Sequence, residues 1–155
     1  MNNMISVAPG FQYSVNIGYD LNRDDKLQNF IPTRSSLQLL KEILQSMKSD
    51  STERARVLVG AYGKGKSHIV LMILSILMQR DRSLFKHLMP KINEDLELKQ
   101  LVDNYYSDSK NKVLPVVING ANTSLSQAFL LALQRTLSEN NLDLMPETNY
   151  RAAVK

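Results

Sequence analysis

Val57-Leu58-Val59-Gly60-Ala61-Tyr62-Gly63-Lys64-Gly65-Lys66-Ser67-His68 is the stretch on which the reading of this chain turns. Residues 60–67 fit G-x-x-x-x-G-K-[ST], the pattern of a phosphate-binding P-loop. An apolar run, Val57 to Val59, precedes it. A second run from Ile69 to Met78 follows it and is almost continuously apolar. Strand, glycine-rich loop and helix are the setting that the pattern requires. The competing reading is a glycine-rich turn between a buried strand and a buried helix.

The residue types suit one chemistry. A triphosphate concentrates negative charge within a few ångströms. Backbone N–H groups and a helix N-terminus can receive it where no large side chain intervenes. Gly60, Gly63 and Gly65 are expected to supply positive φ angles and close backbone approach. Lys66 is expected to reach the β- and γ-phosphates as the catalytic cation, and the Ser67 hydroxyl to ligate Mg²⁺. Ala61, Tyr62, Lys64 and His68 complete the expected lining of the nucleotide site. Lys64, at a position that the motif leaves free, reads better as a solvated cation, and His68 better as an ordinary first-turn residue. The expected cofactors are ATP and Mg²⁺. His87 has no recognisable partner in the sequence.

Around this stretch the pattern predicts alternating elements. Phe11 to Ile17 alternates and reads as a strand or extended arm. A helix is expected from about Ser35 to Lys48, capped by Ser35 with Gln38, with Leu37, Leu40, Ile43, Leu44 and Met47 on one face. The helix after the loop is expected over Ser67 to Arg80, buried on all sides against a sheet. Pro90 opens another helix to about Tyr106, with Ile92, Leu96, Val102 and Tyr105 inward. Val113 to Asn119 reads as a second buried strand, weakened by Pro115. Ser124 with Gln127 caps a last helix to about Asn140. The expected fold is therefore α/β: a P-loop NTPase with three α/β/α layers on a parallel sheet, incomplete within this chain. The expected division is an N-terminal arm, 1–32, and the first part of a P-loop NTPase domain, 33–155, continuing past the chain end. Tyr150 to Lys155 reads as the opening of a further helix.

Composition narrows the class. The chain has 155 residues, 43% hydrophobic, a net charge of +4 and no cysteine. This suits one domain without disulfides or a cysteine metal site. Residues 51–90 carry Arg54, Arg56, Lys64, Lys66, Arg80, Arg82 and Lys86 against Glu53 and Asp81, an excess of +5. Phosphate binding accounts for part of that excess, which lacks the dense stripe of a DNA-binding surface. Met1 to Val7 has no charged and apolar signal pattern. The apolar run at 69–78 is too short to span a bilayer. A cytoplasmic protein without a membrane segment is expected.

One part is missing from the pattern. P-loop ATPases hold Mg²⁺ partly through an acid at a strand end, the Walker-B Asp. The second strand here ends in Asn119-Gly120, and an amide carries no charge. A GTPase is disfavoured because Asn111-Lys112-Val113-Leu114 lacks the Asp of Asn-Lys-x-Asp. A small-molecule kinase needs arginines on a closing lid, and Arg80 and Arg82 instead end a buried helix. A nucleotide-gated binding module without turnover stays open.

Phe30-Ile31-Pro32-Thr33 ahead of a helix, the stretch Val57 to His68, and Pro115-Val116-Val117-Ile118-Asn119-Gly120 followed by Ser124-Leu125-Ser126-Gln127-Ala128-Phe129-Leu130 together resemble the start of large bacterial AAA-like ATPases. These belong to bacteriophage-exclusion (BREX-type) and related defence systems. The resemblance covers most of 30–155, and only the loop is highly specific. It implies an ATPase motor or switch in antiviral defence, with DNA or defence-complex proteins as partners. It also implies that Phe30, Ile31 and Pro32 lie near the adenine.

Overall fold

The computed structural model describes residues 15–142, apart from 29, 49, 62, 64, 121 and 122. Of the strand or extended arm expected over Phe11 to Ile17, residues 11–14 fall outside them, as does the helix opening at Tyr150, and Ile17 begins a helix. Among the described residues the regular elements are all helical. They are α1 (Ile17–Asp20), α2 (Arg34–Ser46), α3 (Lys66–Leu77), α4 (Met89–Glu94), α5 (Leu96–Ser107) and α6 (Leu125–Glu139), with 3-10 turns at Asp24–Lys26, Arg82–Phe85 and Ser109–Asn111. None of these helices is long and apolar enough to cross a membrane.

The expected α/β/α layers on a parallel sheet are thus corrected. Residues 57–59 and 113–119 lie outside the helices and join no strand ladder. Val57 and Val59 are 86% and 90% exposed. The physical reason is that a short apolar run specifies burial or extension without supplying a neighbour to pair with. Two strands alone are marginal in water, and Pro115 removes one donor from the second. The core here is closed by helices instead.

The chain divides into two compact units, Met1–Val113 and Leu114–Lys155. In the first, one cluster of buried side chains joins α2, α3, α4 and α5, with Leu40, Leu71, Leu88, Ile92 and Leu98 all but sealed from water. Leu27 and Phe30, in the stretch expected to be an arm, belong to this core. In the second unit, α6 begins at Ser124, whose hydroxyl accepts the Gln127 N–H at 3.2 Å. No residue of α6 is buried, and Leu125 and Phe129 face solvent.

Local chemistry sets the boundaries. α2 starts two residues ahead of the expected cap. Thr33 Oγ1 accepts the Ser36 N–H at 3.2 Å while Ser36 Oγ accepts the Thr33 N–H at 2.9 Å, a reciprocal capping box. Its apolar face buries Leu40 and Leu44, whereas Met47 is exposed. The single helix expected over 90–106 is two. Asp95 adopts an extended backbone, and its Oδ1 accepts the Leu98 N–H at 3.0 Å, capping α5. That break rotates Leu96 outward, to 73% exposure, and brings Leu98 in. α3 stops at Leu77 because Gln79 turns left-handed, with φ of 50°. Its amide then donates to the carbonyls of Tyr105, at 2.7 Å, and Asp108, at 2.8 Å. The Tyr105 hydroxyl lies nearby between two carbonyl acceptors, Leu77 O at 2.9 Å and Asn111 O at 2.5 Å, and its one proton serves either of them.

Two tests of this packing follow. Leu71 is fully buried, so Leu71→Ala is expected to cost about 2–5 kcal/mol in chemical denaturation. Lys41 ties α2 to α5 through Asp95 at 3.0 Å and Glu97 at 2.8 Å. The Leu98 N–H and then Lys41 hold the Asp95 carboxyl below its ordinary range, and Lys41 does the same for Glu97. A lowered folded pKa stabilises above the unfolded value, near 3.8 for Asp95, and that contribution is lost as the pH falls through the folded value. Asp95→Asn keeps an acceptor for the cap and removes the charge. Unfolding measured across acid pH is expected to show a shallower acid limb in this variant; an unchanged limb would exclude Asp95 as a contributor.

Candidate functional site

The loop enters from an exposed segment without regular structure, residues 52–61, and ends on α3. Gly63 and Gly65 both have φ of 75°, the left-handed conformation that a Cβ disfavours. Gly60 is not among the positive-φ glycines, so its expected role narrows: a Cβ there would only touch the Lys66 side chain, at 3.6 Å. Gly65 is the N-cap of α3, and Lys66 is its first residue. Tyr62 and Lys64 fall outside the described residues.

Lys66 folds back over the loop. Its Nζ donates to Gly60 O and Ala61 O, both at 2.7 Å. The loop carbonyls therefore hold the one cation that the motif requires, beside the start of the helix. Ser67 follows in the first turn and is exposed. The Ile69 N–H closes onto Gly65 O at 3.0 Å, so the N–H groups of residues 66–68 stand ahead of the first intrahelical bond.

The electrostatics at this end are unbalanced. Gly65 offers no side-chain cap, and the first turn of α3 carries no acid. Helix N-termini favour negative charge, worth roughly 0.3–1 kcal/mol at exposed sites. Here the helix opens on a lysine instead. An anion at the loop would satisfy both the terminus and Lys66. The donor set, backbone N–H groups with one ammonium and one hydroxyl, fits a phosphate chain with Ser67 as a metal ligand.

His68 is turned to a different purpose from lining the nucleotide. Its Nε2 meets the carbonyl of Lys26 at 2.6 Å, and its ring packs edge-on to Phe30, with centroids 5.2 Å apart and planes at 82°. Phe30 is 5% exposed and committed to the core, so it is not available to face adenine; Ile31 is exposed. This joint between the loop helix and the turn at Lys26 has no signal in the sequence, since its acceptor is a backbone carbonyl. His87 Nε2 is buried without a hydrogen-bond partner, and burial followed by repulsion from His68 lowers its pKa.

The remaining sequence candidates serve structure. Arg80 donates to Leu21 O at 3.0 Å and Asn22 O at 3.3 Å, and pairs with Asp24. Arg82 pairs with Asp103 at 2.9 Å and lies 4.5 Å from the centre of the Tyr106 ring. Burial, as the dominant influence, pushes the Tyr106 hydroxyl up to about 12. Asn111 sits in a 3-10 turn and accepts from Tyr105. Among the described residues, no group of three or more His, Asp or Glu side chains is arranged to hold a metal ion. Two open grooves flank α2, of about 580 and 340 Å³, and neither includes a loop residue.

The left-handed glycines give a direct check. Gly65→Ala is expected to lower stability by about 1–2 kcal/mol through backbone strain alone, measured by denaturant unfolding. An unchanged midpoint would mean that position 65 does not hold this conformation. Comparison with family models, with curated proteins and with solved structures returned no match.

Proposed function

We propose that this chain binds a nucleoside triphosphate, ATP in the first instance, with Mg²⁺ at residues 60–67. The observation that carries the reading is the seating of Lys66. Two left-handed glycines flank the approach, the ammonium folds onto the loop carbonyls, and the helix behind it opens without a cap or an acid. Lys66 would meet the outer phosphates and Ser67 the metal, with the N–H groups of 66–68 receiving phosphate oxygens. Bound Mg²⁺ would neutralise phosphate charge and polarise the terminal phosphoryl group.

The chain would act as the nucleotide-holding part of a larger ATPase motor or switch. The sequence likeness to defence ATPases supports a role beside DNA or defence-complex proteins. A second reading, nucleotide-gated binding without turnover, is favoured by Asn119, a neutral amide where Mg²⁺ chemistry calls for an acid.

Calorimetry with ATP and Mg²⁺ tests the binding. The wild-type chain is expected to bind, with an affinity that falls as salt is raised. Lys66→Ala should weaken binding by about ten-fold or more, since charge-assisted contacts to phosphate are lost. The ligand should also raise the wild-type melting temperature, as any ligand of the native state does. A folded wild-type chain without heat or thermal shift would overturn the reading. GTP bound more tightly than ATP would overturn the choice of base.

A further inference from the structure

We propose that His68 is a positioning residue for the nucleotide loop: its Nε2–H bond to Lys26 O holds the first turn of α3 in the shape that receives phosphate. The proposal rests on the nucleotide reading above and deepens it.

The first turn of a helix is its least stable part, and caps normally hold it. α3 has no such cap: Gly65 has no side chain to offer, and no acid stands in the first turn. Lys66 bonds to the carbonyls of Gly60 and Ala61, which ties the helix start to the loop and neither to the core. His68, at the third helical position, supplies the anchor. Its ring meets Lys26 O at 2.6 Å and packs against Phe30, a core residue. At the other end of α3 the same stretch of chain is gripped by Arg80, through Leu21 O and Asn22 O. The turn from Leu21 to Lys26 thus bridges both ends of α3, and the His68 bond is the one adjacent to the loop.

The consequence for affinity is arithmetical. If the first turn is formed only a fraction of the time, the apparent dissociation constant rises by the reciprocal of that fraction. When the turn is formed about half the time or less, losing one hydrogen bond of ordinary net strength lowers that fraction by about three- to five-fold.

His68→Leu keeps the bulk against Phe30 and removes the donor; His68→Gln restores a donor of similar reach. Arg80→Met removes the far tie and serves as the stability control. Calorimetric affinity for ATP with Mg²⁺ is expected to fall about three- to five-fold in His68→Leu and to recover to within about two-fold in His68→Gln. Arg80→Met should lose stability yet bind like the wild type. Without nucleotide, amide exchange at Ile69 and Val70, the first hydrogen-bonded amides of α3, should accelerate in His68→Leu and not in His68→Gln. Wild-type affinity in His68→Leu, no recovery in His68→Gln, or an equal loss in Arg80→Met would overturn the proposal. If the wild type binds in a Lys66-dependent way, those results sink this proposal alone; if it does not bind, the nucleotide reading falls and this one with it.

Discussion

Leu71, Met72, Ile73, Ile76 and Leu77 have to leave water together, because α3 carries them within seven residues. Each is worth roughly 1.5–3 kcal/mol when fully buried. The first unit is arranged around that requirement. α2, α4 and α5 contribute to the same cluster, while the chain before α2 lays Leu27 and Phe30 into it. The polar contacts come second and act at the margins. Gln79, Tyr105 and Arg80 tie the end of α3 to α5 and to the turn at Leu21. Such contacts add little each, but they choose among the packings that apolar burial alone would allow.

The same helix creates the opportunity for function. Covering its middle with apolar side chains leaves its first turn at the edge of the core, where backbone donors gather beside a lysine. Apolar burial and the unpaired backbone donors thus fall on different turns of one element. The core specifies where the terminus points, and the glycines specify what is allowed to approach it.

Much of this was legible from particular residues. The loop boundaries follow from the motif, the helix over 125–139 from its Ser124 cap, and the inward face of α2 from its Leu40 and Leu44 spacing. That no sheet forms among the described residues was not legible, since Val57-Leu58-Val59 and Val116-Val117-Ile118 read as buried strands although nothing in them declares a partner. The break at Asp95 was hidden by helical residues on either side; an Asp three places before Leu98 was its available signal. The joint at His68 was beyond reach, because a side chain that binds a backbone carbonyl 42 residues away leaves no pattern in composition or periodicity.

The solvent-facing Val57-Leu58-Val59 also bears on how the protein behaves in concentrated solution. Extended β-branched segments with open backbone groups are prone to stick to copies of themselves. Arg54 and Arg56 lie immediately upstream, with Glu53 4.0 Å from Arg56, and charge beside such a segment disfavours pairing between copies. Colloidal stability then depends on a repulsion that reaches about 8–10 Å at ordinary ionic strength and contracts as salt is added. The arginines beside the loop thereby keep a greasy segment dispersed as well as adding to the field around it.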